Sequence, residues 1–177
     1  EVESFGALSE IKPVMLSLLK GLFDNVTDIR VNYVNVLSIA EDRGVSVKFS
    51  YNSSSVSYSN LIKATIKTED SQYSIEACVL DDKIIKITKI MGYQIDVTPN
   101  GQMLLIQNND IPGVVGKVGS VLGANNVNIA EFILSRNTSG SKAYSIIKID
   151  DFVSASILKE LSSLDEVIQV RQITIHE

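Results

Sequence analysis

The residues best suited to do chemistry lie in Asn108-Asn-Asp110-Ile-Pro112-Gly113-Val114-Val115-Gly116-Lys-Val-Gly119. Pro112 suits a first helical turn, where its missing N–H has no intrahelical partner to lose. Gly113 lets the backbone turn, or approach a ligand, without a Cβ in the way. Exposed backbone N–H groups at such a helix start attract an anion. Asn108 and Asp110 add acceptors nearby, which is what an ammonium group seeks. A carboxylate site beside an ammonium site describes a free amino acid. Two plainer readings stay open: Asp110 as only an N-cap, and the Asx-Pro-Gly cluster as only a turn.

Little else in the chain offers reactive groups. The glycines at 113, 116, 119 and 123 do not follow G-x-G-x-x-G, and no G-K-[ST] of a phosphate loop follows them. Gly116, Gly119 and Gly123 share one helical face, which suits close packing on the sheet or on a partner helix. The acid pairs Glu69-Asp70, Asp81-Asp82 and Asp150-Asp151 each fall at a turn or helix entry. A general acid/base pair needs instead a desolvated cleft that separates the two pKa values. One cysteine, Cys78, and one histidine, His176, leave no material for a disulfide framework, a thiolate cluster or a histidine-based triad. No catalytic residue and no metal site is expected.

The elements that must position the Asn108–Gly119 segment are legible from periodicity. Met103 to Gln107 reads as a short strand, and Gly113 to Asn125 as a helix in which Val114, Val115, Val118, Val121 and Leu122 recur at helical spacing. Val127 to Arg136 and Ala143 to Ile149 read as two strands, joined by a turn at Asn137-Thr-Ser-Gly140. Ser154 caps a second helix running to about Ser163, and Glu166 to Ile175 closes as a strand. The order is βαββαβ, the ferredoxin-like arrangement: an antiparallel sheet with two helices on one face.

Upstream, the pattern is α/β but less regular. Strands are expected at Glu1–Phe5, Val45–Tyr51, Asn60–Thr68, Gln72–Leu80, Lys83–Ile90 and Gln94–Val97. A helix capped by Ser9 runs through Val14, Leu18, Leu19 and Leu22, and another spans Tyr33 to Arg43, closed by Gly44. The turn chemistry of Thr98-Pro-Asn-Gly101 sets a boundary between domains at 1–98 and 102–177. The fold class is therefore α/β, in the α+β sense, with two small domains.

Composition limits the partners. Of 177 residues, 45% are hydrophobic and 21% charged, the balance of a packed chain. A net charge of −5 argues against nucleic acid or an anionic membrane as partner. No run approaches the ~20 apolar residues of a membrane span. The single cysteine fits a reduced, cytoplasmic setting, and a start at Glu1 suggests a piece of something longer.

Leu104-Leu-Ile-Gln-Asn-Asn-Asp-Ile-Pro-Gly-Val-Val-Gly-Lys-Val-Gly-Ser-Val-Leu-Gly123, with Val127-Asn-Ile-Ala130 and Ser135-Arg136, resembles the ACT domain of D-3-phosphoglycerate dehydrogenases. Leu18-Leu-Lys-Gly-Leu-Phe, Val31-Asn-Tyr-Val-Asn35, Ile39-Ala-Glu-Asp-Arg-Gly44 and Gly92-Tyr93 are similar to the intervening, allosteric substrate-binding domain of the long form of that enzyme. The resemblance implies the regulatory region of an NAD-dependent oxidoreductase of serine biosynthesis, with NAD and the catalytic set in a dehydrogenase domain outside this chain. It implies L-serine, or another small amino acid, as effector at a side-by-side dimer of ACT domains. Asn108, Asp110 and Asn128 line up with the family's serine contacts, Asn128 reaching the ligand held by the neighbouring subunit, and the resemblance implies backbone donors from the helix start at Gly113 to Val115. Lys86 matches one position of an anion site in the first domain, where Tyr93 and Thr98 stand in place of arginines. An oligomerisation module that binds no effector is the alternative.

Overall fold

The computed structural model describes residues 1–7, 10–24, 26–54, 58–81, 83–137 and 141–175. The expected cap Ser9, the turn residues Asp82 and 138–140, and His176 lie outside them. Packing divides the chain into two compact units, Glu1–Val79 and Leu80–Glu177. The division thus falls upstream of Thr98-Pro-Asn-Gly101, for a reason visible in the second unit's core.

In the first unit, β1 (Val2–Gly6) pairs in parallel with β2 (Phe49–Asn52) and antiparallel with β3 (Asn60–Lys67). β3 pairs antiparallel with β4 (Gln72–Leu80). Helices α1 (Ile11–Phe23) and α2 (Val36–Asp42) join through Met15, Leu19 and Phe23 on one side and Val36 and Ala40 on the other. The buried stripe of α1 is Ile11, Met15, Leu19 and Phe23, an i, i+4 series, and Val14, Leu18 and Leu22 only flank it. That helix is apolar on more than one side, so periodicity alone does not pick the buried edge. α2 begins at Val36 rather than Tyr33. The Asn32 Oδ1 accepts from the backbone N–H of Val34 and Asn35, a side-chain turn that competes with the helix there.

The second unit opens with a hairpin, β5 (Ile84–Ile90) and β6 (Tyr93–Val97). Met91 and Gly92 form its two-residue turn with φ of 53° and 81°, the positive pair that a type I′ turn requires. A four-stranded antiparallel sheet follows, ordered β10-β7-β9-β8, from β7 (Gly101–Asn109), β8 (Ile129–Arg136), β9 (Lys142–Ile149) and β10 (Val167–Ile175). Helices α3 (Val114–Ala124) and α4 (Ala155–Ser162) complete the βαββαβ order.

Alternation along β7 sends side chains to two cores. Leu104 and Ile106 meet Val114, Val118, Leu122 and Leu161 on the helix side. Met103 meets Ile95, Val97, Tyr144 and Ile146 on the other face, where the Tyr93 and Tyr144 rings lie 4.6 Å apart. The sheet is therefore covered twice, by helices and by the β5–β6 hairpin. Ile95 and Val97 are buried there, which assigns the hairpin to the second unit. Each such fully buried Leu or Ile contributes about 1.5–3 kcal/mol.

Candidate functional site: a hollow at the start of α3

The helix-side face of β7 carries Leu104, Ile106 and then Asn108, so the apolar core ends on an amide that is only 3% exposed. β7 runs on to Asn109, which places Asn108 inside a strand and not in the connecting loop. Across the sheet Asn108 faces Ala143 of β9, and Ala143 faces Arg136 of β8. Directly opposed residues share a face. One rung thus carries Asn108, a small alanine and Arg136 on the side where the helices lie.

The chain then leaves β7 on backbone hydrogen bonds. Asn109 N–H donates to the Glu166 carbonyl (2.8 Å) and Asp110 N–H to the Ser141 carbonyl (3.2 Å). Gly113 is left-handed, with φ of 95°, and occupies the N-cap position of α3. No side chain among the described residues caps this helix start. Its first backbone contact is Lys117 N–H to the Gly113 carbonyl (2.9 Å), which leaves the N–H groups of Val114 to Gly116 outside the helical ladder. Asp110 is therefore not an N-cap. Its carboxylate, 17% exposed, instead sits 3.3 Å from the Nε of Arg136.

These groups surround a hollow of about 340 Å³, lined by Asn108, Asp110, Ile111, Pro112, Gly113, Val114, Val115, Leu134 and Arg136. The Asn108 Nδ2 donates to the Asn109 carbonyl (2.7 Å), and its Oδ1 accepts no hydrogen bond among the described residues. A buried amide with a free acceptor, a carboxylate, a guanidinium and an uncapped helix start converge on one space. That space can take a small ligand bearing both signs of charge.

Six of the expected binding residues thus meet: Asn108, Asp110, Pro112, Gly113, Val114 and Val115. Asn128 stands apart. It is exposed, donates from Nδ2 to Asp150 (2.7 Å), and precedes β8 at the end opposite Arg136. At ~3.3 Å per residue the strand separates them by about 26 Å. Lys86, on β5, has its Nζ 3.2 Å from Asp96 and so faces a carboxylate. Ile111, Leu134 and Arg136 complete the hollow without having been expected to. Arg136 shares strand parity with Phe132 and Leu134, a signal readable only once the strand order is known.

The glycines at 116, 119 and 123 follow one another along one side of α3. A Cβ at any of them would meet nothing within 4 Å, so this face of α3 packs neither on the sheet nor on anything else described. Among the described residues no group of three His, Cys, Asp or Glu side chains is placed to hold a metal. No helix among the described residues is long and apolar enough to cross a membrane.

Comparison with known proteins also divides the chain in two, with a first part that runs beyond Val79 and takes in β5. Residues 1–91 match the family model of the D-3-phosphoglycerate dehydrogenase intervening domain, and residues 102–166 that of the ACT domain. A D-3-phosphoglycerate dehydrogenase of Bacillus subtilis is 32% identical over 157 residues, which cover 89% of this chain and 30% of that protein. The Synechocystis enzyme of the same name is 31% identical over 86% of this chain and 28% of its own length. A probable L-serine dehydratase β chain of B. subtilis is 28% identical over 89% of this chain and 71% of its own length. The chain thus spans about 30% of the dehydrogenases it matches. It belongs to the D-3-phosphoglycerate dehydrogenase intervening-domain family, with an ACT domain behind that part.

Proposed function

We propose that this chain is the effector-sensing region of a cytoplasmic D-3-phosphoglycerate dehydrogenase, and that the hollow at the start of α3 binds L-serine for feedback control. The observation that carries this reading is the convergence of the uncapped α3 start with Asp110 and the buried, half-satisfied Asn108. The serine carboxylate lies against the helix N–H groups and its ammonium against Asp110. The name of the related L-serine dehydratase β chain supports serine as the ligand of such a pair of domains. Catalysis and NAD belong to a dehydrogenase domain outside this chain.

The sensing unit is a homodimer of ACT domains. β8 is an edge strand of its sheet, and two copies of one edge related by a two-fold axis pair antiparallel. That pairing lays the Asn128 end of one β8 beside the Arg136 end of the other, which is how Asn128 reaches a hollow too distant within its own subunit. Serine bridging the two subunits favours one arrangement of the regulatory region by as much as its affinity differs between arrangements.

A thermal-shift screen against the amino acids tests the reading. Ligand at ~100 times its dissociation constant stabilises by about 2.7 kcal/mol, which is several degrees for a chain of this size. L-serine is expected to give that shift, and Asn128→Ala to reduce it without unfolding the domain. A stable dimer that ignores every amino acid would leave the assembly-module reading instead.

A further inference from the structure

We infer that Arg136 sets the specificity of the hollow: it yields Asp110 to a ligand's ammonium and takes the ligand's carboxylate on its own guanidinium, so that only molecules carrying both charges bind well. This rests on the amino-acid reading above and goes further by assigning the selecting residue.

Arg136 and Asp110 neutralise one another through a single 3.3 Å contact at Nε. The remaining guanidinium N–H groups have no partner among the described residues. The Arg136 side chain is 66% exposed, and a pair of that kind adds little to stability. It is therefore easily opened. Who can open it with a gain is decided by counting charges. A bare amine that displaces the guanidinium from Asp110 makes one ion pair and breaks one. A bare carboxylate that recruits Arg136 leaves the largely buried Asp110 unpaired and beside another negative group. A zwitterion inserted between the two makes two pairs for the one it breaks. The planar guanidinium can hold a carboxylate through two parallel hydrogen bonds, which a point charge cannot.

The hollow's chemistry agrees. Its positive groups are Arg136 and the α3 start, its one anion is Asp110, and the buried Asn108 offers an acceptor to the same ligand. The register Asn108–Ala143–Arg136 puts the amide and the guanidinium on one rung, with only a methyl group between them. Specificity then comes as much from the penalty on singly charged molecules as from contacts to the right one.

Calorimetric titration of the chain with L-serine, ethanolamine and 3-hydroxypropionate, which lack the carboxylate and the amine respectively, tests this. The parent is expected to bind L-serine and neither fragment. Arg136→Gln should weaken L-serine by about tenfold or more, the worth of a lost charge-assisted contact, and Arg136→Lys should recover part of it. With Asp110 released, Arg136→Gln should also bind ethanolamine better than the parent does. Arg136→Gln that binds L-serine as well as the parent, or better, would overturn the inference while leaving the amino-acid site standing. Loss of both ligands would overturn it as well, by showing damage to the hollow. A parent that binds no amino acid would bring down the underlying reading and this one together, a result distinct from either.

Discussion

At the scale of single residues, the hollow depends on a backbone conformation as much as on its polar groups. Gly113 holds φ at 95°, which turns the chain from Asp110 into α3. A methyl group there would meet nothing within 4 Å, so space does not forbid alanine. The left-handed conformation does, at a cost of about 1–2 kcal/mol for a residue with a Cβ. Gly113→Ala should therefore lower Tm by roughly 2–4 °C per kcal/mol lost, and it should weaken the ligand by tilting the helix start away from Asp110. Differential scanning calorimetry with and without L-serine measures both. An unaltered Tm would mean that the turn re-forms with another residue left-handed. Asn126, φ of 56°, does the corresponding work after α3. Asn125 is the C-cap of α3, and its neighbour Asn126 is the left-handed residue.

At the scale of elements, the strand and helix order was readable because alternation and helical spacing are strong between residues 101 and 175. β7 to β10 all appear where the pattern puts them, with ends that move by a residue or two. What could not be read is lateral. Periodicity says which face a residue takes within its own element, not which element comes next to it. Asn108 and Asp110 were legible because they neighbour the helix start in sequence. Arg136 was not, because the strand order that aligns it with Asn108 through Ala143 is a property of the sheet. The same holds for the tie between α3 and the turn before β10, where Lys117 donates to Glu166. That bond holds the Glu166 carboxyl below its usual range and the Lys117 ammonium above its own. A lowered carboxyl stabilises the fold above its unfolded value of 4.5, and the contribution is lost as pH falls through the lower folded value. A raised ammonium acts in the opposite sense: its contribution is present below 10.5 and lost as pH rises through the higher folded value. Lys117→Met should melt below the parent at neutral pH, and the gap should close in acid once Glu166 is protonated. A gap that is constant from pH 7 down to pH 3 would assign the effect to lost packing of the lysine stem and not to charge.

At the scale of the whole molecule, one side of α3 is left bare by the described residues. Gly116, Gly119 and Gly123 lie along one side of the helix, beside Val115, which is 47% exposed, and nothing described in this chain touches the glycine positions. A lone chain gains nothing from glycine there, since each costs a helix roughly 1 kcal/mol relative to alanine. A second copy of the helix, brought alongside by pairing of the β8 edges, would make use of that bare backbone. The two cases predict opposite signs for one variant. In a monomer, Gly116→Ala with Gly119→Ala fills empty space, strengthens α3 and raises Tm by several degrees. In the proposed dimer the methyl groups press on the partner helix, so the variant dissociates at concentrations where the parent does not. Sedimentation velocity across a dilution series, run beside thermal melts, separates them. The dimer reading expects a lighter species for the variant, and a parent Tm that falls on dilution because association and stability are linked. If the variant keeps the parent's mass and gains stability, the α3 face is not the contact. The two-subunit site that brings Asn128 to its neighbour's hollow would then need another edge to form it.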